Sequence, residues 1–372
     1  LSGPVIIGGG PAGSAAALVV ATAGRAVTLI ERNAGSADKV CGDFLSAEAI
    51  AAIEAHGVDL SSAASITAMR LVHRNRIATT RLPFAARGIT RRALDEALLF
   101  QARVRGVTVL RGHHVGAIEP ERGSLRLDCG TLGRIVTDTV FLATGKHDLR
   151  GAARNCRVSG LVGFKMYYAL AAAQLQALRY HVELTLFSGG YAGLQLVEAD
   201  RAVLCVLLPA ARLRAVGGRW DGLLDWLTGE CPNLRERLTG AAALLDRPLA
   251  VAGLPYGYLH GSGRCDTPGL YRLGDQAAVI ASLTGDGVAL AMASGSLAAR
   301  TWLAGGSNAL YHQRLTEGLT RQMRLASAIH GLCLAPVSQN WVSAVCRIWP
   351  GVIRLAAAAT RAKRLTHSGY VV

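Results

Sequence analysis

The chain opens on a short apolar run, Val5–Ile7, that breaks into Gly8-Gly9-Gly10-Pro11-Ala12-Gly13. A segment of small apolar residues follows, from Ser14 to about Ala23, and a second apolar run, Ala26–Ile30, ends in the acid Glu31. Runs this short are too brief for helices, whereas the stretch between them is long enough for one, so the pattern predicts strand, turn, helix, strand. Further along, Ala47–Ala55 reads as a helix closed by Gly57, and residues 66–87 alternate apolar with polar or basic positions, as a hairpin-like pair of strands does. Thr90 caps a helix running to Arg105, with Gly106 behind it. Strands at Val107–Leu110 and His114–Ile118, a short meander through Leu125–Asp128 and Ile135–Asp138, and a buried strand Thr139–Leu142 lead into Ala143-Thr144-Gly145.

Beyond Arg150 the pattern changes. Leu161–Leu170, His181–Phe187, Ala192–Val197 and Ala202–Leu208 are strand-like and separated by turns, which predicts a mostly antiparallel sheet. Trp220–Thr228 and Leu234–Leu238 read as helices. Leu270–Leu273 is a strand, and about 287–304 a long small-residue helix. The tail, Leu310–Arg364, is helical with apolar residues and arginines intermixed. The fold class expected is α/β: a discontinuous Rossmann-like domain (1–65, 88–152 and 265–310), a second, mostly antiparallel-sheet substrate domain (66–87 and 153–264), and a C-terminal helical segment (311–372).

The opening pattern carries chemistry. Gly8 permits the tight turn, Gly10 lets the backbone approach a pyrophosphate, and Gly13 lets helix and strand pack closely. Pro11 and Ala12 begin the helix, whose N-terminus offers unpaired N–H groups and partial positive charge to phosphate. Glu31, eighteen residues past Gly13, stands where a carboxylate accepts ribose hydroxyls. A second strand-to-helix turn, Gly274-Asp275, lies far along the chain, followed by Gly285-Asp286-Gly287-Val288. An acid at such a turn can bond a ribityl hydroxyl, and the N–H groups of a helix starting near Gly287 can face a pyrophosphate or the flavin O2 edge.

Composition narrows the picture. Hydrophobic residues make up 51% of the 372 and charged ones 17%, which argues for a folded chain with two cores. The net charge is +15, carried almost wholly by arginine, with lysine only at 39, 146, 165 and 363. No basic run is interleaved with aromatics, and no zinc or helix-turn-helix spacing appears, so nucleic acid is not an expected partner and no metal is expected. The eight cysteines (41, 129, 156, 205, 231, 265, 333 and 346) form no CxxC pair, which fits free thiols in a reducing cytoplasm. The N-terminus reads as a first strand and not as a signal peptide, and no uninterrupted apolar stretch reaches transmembrane length.

Taken together, Gly8–Gly13 with Glu31, Arg91-x-x-Leu-Asp95, Ala143-Thr144-Gly145, and Gly274-Asp275 with Gly285-Asp286-Gly287 resemble the FAD-dependent aromatic hydroxylase and geranylgeranyl reductase superfamily. Lys39-Val40-Cys41-Gly42-Asp43 is similar to the K-x-C-G-[GED] segment of the reductase branch. Residues 143–151, 162–166 and 189–194 resemble flavoproteins encoded beside type III polyketide synthases. The resemblance implies FAD as cofactor and NADH or NADPH as electron donor. It places Gly8, Gly10 and Gly13 at the pyrophosphate, Glu31 at the adenosine ribose, and Arg91 at the phosphate or ribityl region. Val115 would contact adenine through its backbone, Arg32 would flank it, and Asp275 would bind pyrophosphate or ribityl oxygens. Gly287-Val288 would meet the isoalloxazine end, with Cys41, Gly42, Gly145 and Asp286 nearby.

Three departures qualify this. The hydroxylases' Asp-Gly motif is represented only by Thr144-Gly145, the reductases' Tyr-x-Trp-x-Phe-Pro segment keeps only Tyr191, and the Trp-x-Trp-x-Ile-Pro of flavin halogenases is absent, which argues against halogenation. The expected activity is therefore an FAD-dependent monooxygenase acting on a hydrophobic aromatic or polyketide-derived small molecule of secondary metabolism. Reduction of isoprenoid or polyketide C=C bonds is the alternative, and a redox-inactive lipid-binding scaffold a third. No catalytic dyad is evident. Cys41, His147, Lys165, Tyr191 and Asp286 are the catalytic candidates, each with an ordinary structural role as the competing reading. In the tail, Trp341, Val345, Ile348, Trp349, Ile353 and Leu355 alternate with Arg347, Arg354, Arg361, Lys363 and Arg364. Peripheral membrane contact and packing onto the second domain both explain that pattern.

Overall fold

The computed structural model describes residues 3–156, 159–261 and 267–361; Cys265, Lys363 and Arg364 lie outside them. The first layer is a five-stranded sheet in the order Leu270–Arg272, Val140–Leu142, Val5–Ile7, Thr28–Glu31, Thr108–Arg111. Every pairing in it is parallel. Val5, Ile6, Leu29, Phe141 and Leu142 are fully buried, as expected of a sheet covered on both faces.

Small residues set the spacing on one face. Helix Pro11–Thr22 buries Ala15, Ala16, Ala17 and Leu18 completely and lies against helix Gly287–Leu303. The two backbones approach so closely that a Cβ on Gly295 would stand 2.1 Å from the Ala12 carbonyl oxygen. A Cβ on Gly13 would stand 2.0 Å from the Gly8 carbonyl. Packing here thus depends on hydrogen atoms where other residues carry carbon. A three-stranded antiparallel meander, Ala117–Glu121, Ser124–Asp128 and Arg134–Thr137, covers part of the other face.

The second layer is a nine-stranded sheet. Its path runs Ala242–Ala243, Leu161–Ala169, Ala202–Pro209, Gly190–Leu196, Tyr180–Phe187, Ala64–His73, Arg76–Gly88, Phe44–Leu45, with Leu249–Ala252 added beside Leu161–Ala169. The expected antiparallel order holds with one exception: Tyr180–Phe187 pairs in parallel with Ala64–His73. Helices Trp220–Glu230 and Pro232–Leu238 cover one face, burying Leu223, Leu227 and Leu234 against Leu204 and Leu208.

The tail forms three helices, Asn308–Leu334, Pro336–Ile348 and Gly351–Ala359, lying over the other face. Helix Pro336–Ile348 packs on the strands Ala64–His73 and Arg76–Gly88, so domain packing accounts for the inner half of the tail's amphipathic pattern. No single helix among the described residues is long and apolar enough to cross a membrane.

Candidate functional site

The glycine turn sits at the C-terminal end of the first strand. Gly8 holds φ at +107°, and a Cβ there would stand 2.4 Å from the Ala143 carbonyl, so only glycine is accommodated. Pro11 occupies the first turn of its helix, where its missing N–H costs nothing. Arg91 begins the helix Arg91–Val104 behind the Thr90 cap, and its guanidinium lies over the turn, 3.2 Å from where a Gly10 Cβ would be. Two bonds to Asp95, at 2.9 and 3.0 Å, fix its plane. Burial opposes its charge, but the carboxylates of Asp95 and Asp43 outweigh burial and hold its pKa above the usual value. A permanent cation beside a glycine-lined helix N-terminus is a cradle for phosphate. On this observation the turn fits a dinucleotide pyrophosphate.

Glu31 is buried at the end of its strand and accepts the Gly9 N–H at 2.7 Å. Its other oxygen accepts from the Asn33 amide and side chain at 3.0 and 2.7 Å. The acid therefore orders the glycine turn itself. Gly274 packs on the same helix start: its N–H donates to Ser294 Oγ at 2.9 Å, and a Cβ on it would be 3.1 Å from that of Ala12. The Gln276 amide ties this turn to Gly145 and His147 through their carbonyl oxygens, at 2.8 and 3.0 Å. The structure thus brings Gly8–Gly13, Arg91, Gly145 and Gly274–Asp275 to one end of the parallel sheet, the end at which α/β sheets bind ligands. Val115 is buried under the meander.

From that end a cavity of about 330 Å³ extends between the large sheet and the C-terminal helices. Val40, Cys41, Gly42, Lys146 and Gly285 line it on the side of the glycine turns. Lys146 Nζ donates to the Val40 carbonyl at 3.0 Å and so fastens the 40–42 loop to the 144–148 loop. The interior is lined mostly by aliphatic and aromatic side chains, among them Leu71, Leu82, Phe84, Leu184, Leu207 and Ile353, with Gln195, Thr284, Thr360 and Arg361 also on its wall.

One polar group stands out on this wall. Tyr191 OH and Ser282 Oγ share a hydrogen bond at 2.6 Å, and Tyr256 OH donates to the same Ser282 Oγ at 3.0 Å. Burial pushes the phenol of Tyr191 well above its ordinary pKa and that of Tyr256 in the same direction, so both stay protonated at neutral pH. The ring of His330 packs against both, with centroids 5.9 and 5.1 Å away. Burial lowers its pKa to about 4, and its Nδ1 is buried with no hydrogen-bond partner. Nothing in the spacing of Tyr256, Ser282 and His330 marks them in the sequence; they meet only because a loop and a tail helix converge on one strand.

The catalytic candidates divide. Tyr191 and Cys41 line the cavity. Lys165 does not: it is fully buried, 2.6 Å from Asp43 Oδ2, and donates to the Lys39 carbonyl at 3.0 Å. Asp43 also accepts from Tyr167 OH at 2.8 Å and from the Arg91 N–H at 3.2 Å. Lys165 therefore anchors the Lys39–Asp43 loop from below. His147 is exposed, 2.9 Å from an Arg32 nitrogen, away from the cavity wall. Asp286 is fully buried, accepting from Ser46 Oγ at 3.1 Å and Gln322 Nε2 at 2.6 Å, with Arg361 at 3.3 Å. It ties the tail to the start of helix Gly287–Leu303 through these protein partners. Cys205, next to Cys41 in the wall, has its thiol pushed up to about 12 by burial and is no nucleophile at neutral pH.

A parallel sheet, a glycine turn with a terminal acid, and a distant second turn closing on the same edge define a flavin-dependent oxidoreductase fold. Residues 4–197, more than half of the chain, match the pyridine nucleotide-disulphide oxidoreductase family, and the chain belongs to that family of FAD-dependent enzymes. No curated protein sequence matches it. Among solved structures it is similar to the flavin-dependent brominase Bmp2, with a TM-score of 0.79 at 17% identity, covering 96% of this chain and 94% of that one. It is also similar to the myxobacterial chondrochloren halogenase CndH (TM-score 0.75, 19% identity, 96% and 90% covered). A flavoprotein/dehydrogenase from Cytophaga hutchinsonii follows (TM-score 0.70, 16% identity, 98% of each chain). At these identities the likeness is one of fold.

Proposed function

We propose that this chain is an FAD-dependent monooxygenase of a hydrophobic aromatic or polyketide-derived small molecule, with NADH or NADPH as donor. The observation that carries the reading is the cavity: a mostly apolar space beside the flavin-binding edge, with a hydrogen-bonded cluster of Tyr191, Ser282 and Tyr256 on its wall and Gln195, Thr284, Thr360 and Arg361 among its other polar lining residues. Bound FAD would supply the redox chemistry, moving two electrons from the nicotinamide to O2, so that one oxygen atom enters the substrate ring and the other leaves as water.

The chain's own residues bind, orient and exclude. Gly8, Gly10, Pro11, Ala12 and Gly13 with Arg91 would hold the pyrophosphate, Glu31 the ribose, and Arg32 and the Val115 backbone the adenine side. Asp275 would take ribityl oxygens. Cys41, Gly42, Gly145, Gly285, Gly287 and Val288 would surround the ring end. A phenol or keto oxygen of the substrate can take the hydrogen bonds that Tyr191 and Tyr256 now make to Ser282, which fixes which carbon points toward the cofactor. The aliphatic walls keep water out. The seven described cysteines are free, which fits a reducing compartment.

The Lys39–Asp43 loop beside the cavity favours a second reading, reduction of isoprenoid or polyketide C=C bonds. Turnover of an alkylresorcinol or alkylpyrone under strictly anaerobic conditions with a chemical reductant separates the two. A monooxygenase stops without O2; a reductase continues. Bound flavin that no donor reduces would leave the lipid-binding scaffold.

A further inference from the structure

The tail helices Pro336–Ile348 and Gly351–Ala359 meet at a bend of 112° and present two different faces. Inward, Val342, Cys346, Ile353, Ala356 and Ala357 line the cavity. Outward, Val337, Trp341, Val345 and Ile348 recur at steps of four, four and three, which puts them on one helix side. Val337 is 76% exposed, Trp341 71% and Ile348 85%, and Trp349 and Leu355 extend the patch around the bend. A contiguous apolar surface with two bare tryptophans marks an interaction site.

The charge around it has one sign. No Asp or Glu occurs after Glu317, while Arg321, Arg324, Arg347 and Arg354 are exposed on these helices or the preceding one. The hairpin tip Arg74-Asn75-Arg76-Ile77 is exposed too, and Arg76 donates to the Asn340 carbonyl, so it borders the same patch. Tryptophan at the level of lipid headgroups, aliphatic side chains below it and arginine around it is the arrangement that binds an anionic bilayer in the interface plane.

We propose that the outer face of residues 336–359 docks on an anionic phospholipid surface, and that the enzyme takes its apolar substrate from the bilayer into the cavity roofed by the same two helices. The second half rests on the apolar-substrate reading above; the docking does not. A substrate that partitions into lipid is scarce in water, and a roof that touches lipid on one side and cavity on the other shortens its route.

The test is co-sedimentation of the full chain, with its cofactor, with equimolar phosphatidylcholine–phosphatidylglycerol vesicles and with pure phosphatidylcholine vesicles. The expected result is binding to the anionic vesicles, weakened by salt, with a blue shift of tryptophan emission. Arg347→Gln with Arg354→Gln should weaken it roughly twenty-five-fold, at about a factor of five per arginine. Trp341→Gln, Ile348→Gln and Trp349→Gln together should weaken it by about a hundred-fold or more. These side chains are exposed, so unchanged flavin content and melting temperature verify folding. The proposal is overturned if the folded wild type ignores both vesicle types, or if the apolar triple variant binds as tightly as wild type. It is also overturned if the patch instead makes a dimer, broken by the same substitutions in sedimentation velocity, without vesicle binding. A protein that binds vesicles but carries no flavin would refute the monooxygenase reading and leave the docking intact.

Discussion

At the scale of single residues, two buried polar groups carry most of the risk. Lys165 and Asp43 form an ion pair with neither side chain exposed. Asp43→Asn keeps the shape and the φ of +54° that Asn tolerates, but leaves an ammonium buried without its counter-charge. We expect a loss of about 3 kcal/mol in urea unfolding; an unchanged midpoint would show that the pair does not anchor the 39–43 loop. Tyr191→Phe removes one of the two phenols from Ser282. It should raise KM for a phenolic substrate about five-fold, in line with one hydrogen bond of about 1 kcal/mol, and leave flavin content unchanged. A lower flavin content with unaltered KM would place Tyr191 on the cofactor side instead.

His330 adds a pH dependence with a definite sign. Its folded pKa, about 4, lies below the ordinary 6.5, so the unfolded chain binds more protons between those values. The stability it contributes is complete above pH 6.5 and is lost as pH falls toward about 4. His330→Phe, which keeps the ring contacts, should flatten the unfolding midpoint over that window relative to wild type. Parallel curves for the two proteins would contradict this.

The residue scale also shows what a sequence reveals. Gly8, Gly13 and Glu31 were legible because their constraints are local: a turn, a close approach and a strand end. The surroundings of Lys165 and His147 were not legible because their partners lie far away in the chain, at Asp43 and Arg32. An isolated lysine in a strand-like run looks the same whether its partner is a substrate or a buried aspartate.

At the scale of elements, the crossing of helices Pro11–Thr22 and Gly287–Leu303 is the joint on which the cofactor edge depends. With a Cβ at residue 295 only 2.1 Å from the Ala12 carbonyl, Gly295→Ala must push the helices apart. We expect a loss of about 1–3 kcal/mol, the usual cost of overpacking, accompanied by weaker flavin retention. Gly331 is the control: it is exposed in helix Asn308–Leu334 with nothing near its Cβ position, so Gly331→Ala should stabilise by roughly 0.5–1 kcal/mol. Thermal melts of both check the contrast, and equal shifts would remove the packing argument.

Most elements were readable from periodicity and caps, including the Thr90-capped helix and the long helix beginning at Gly287. What periodicity could not give is which strands become neighbours. Tyr180–Phe187 lies parallel to Ala64–His73, which joins segments about a hundred residues apart without leaving a local trace. The short helices Ala172–Leu178 and Ala210–Ala215, each under two turns long, were not read from the sequence, although the equally short Pro232–Leu238 was.

At the scale of the whole molecule, the two layers divide the work. The parallel sheet, its glycine turn and Arg91 would form the binding edge for the adenosine diphosphate half under the proposed reading. The nine-stranded sheet and the tail helices enclose the apolar space beside it. The strand, turn and helix of the first half were legible, since they follow one another along the chain. The cavity was only implied, because its walls come from a hairpin at 64–88, strands at 161–209, a loop at 282–285 and the tail, and no contiguous stretch encodes them. Asp286 shows the consequence: nothing in its local pattern reveals that its buried side chain also ties the tail through Gln322 and Arg361.

The most direct test of the monooxygenase account is incorporation of labelled oxygen. The FAD-loaded protein is reduced with NADH or NADPH, mixed with isotopically labelled dioxygen and an alkylresorcinol, and the product is weighed by mass spectrometry. The account predicts one labelled oxygen atom per molecule of product and none from labelled water. A product that has gained two hydrogens and no oxygen, or flavin that reoxidises with the alkylresorcinol unchanged, would contradict it.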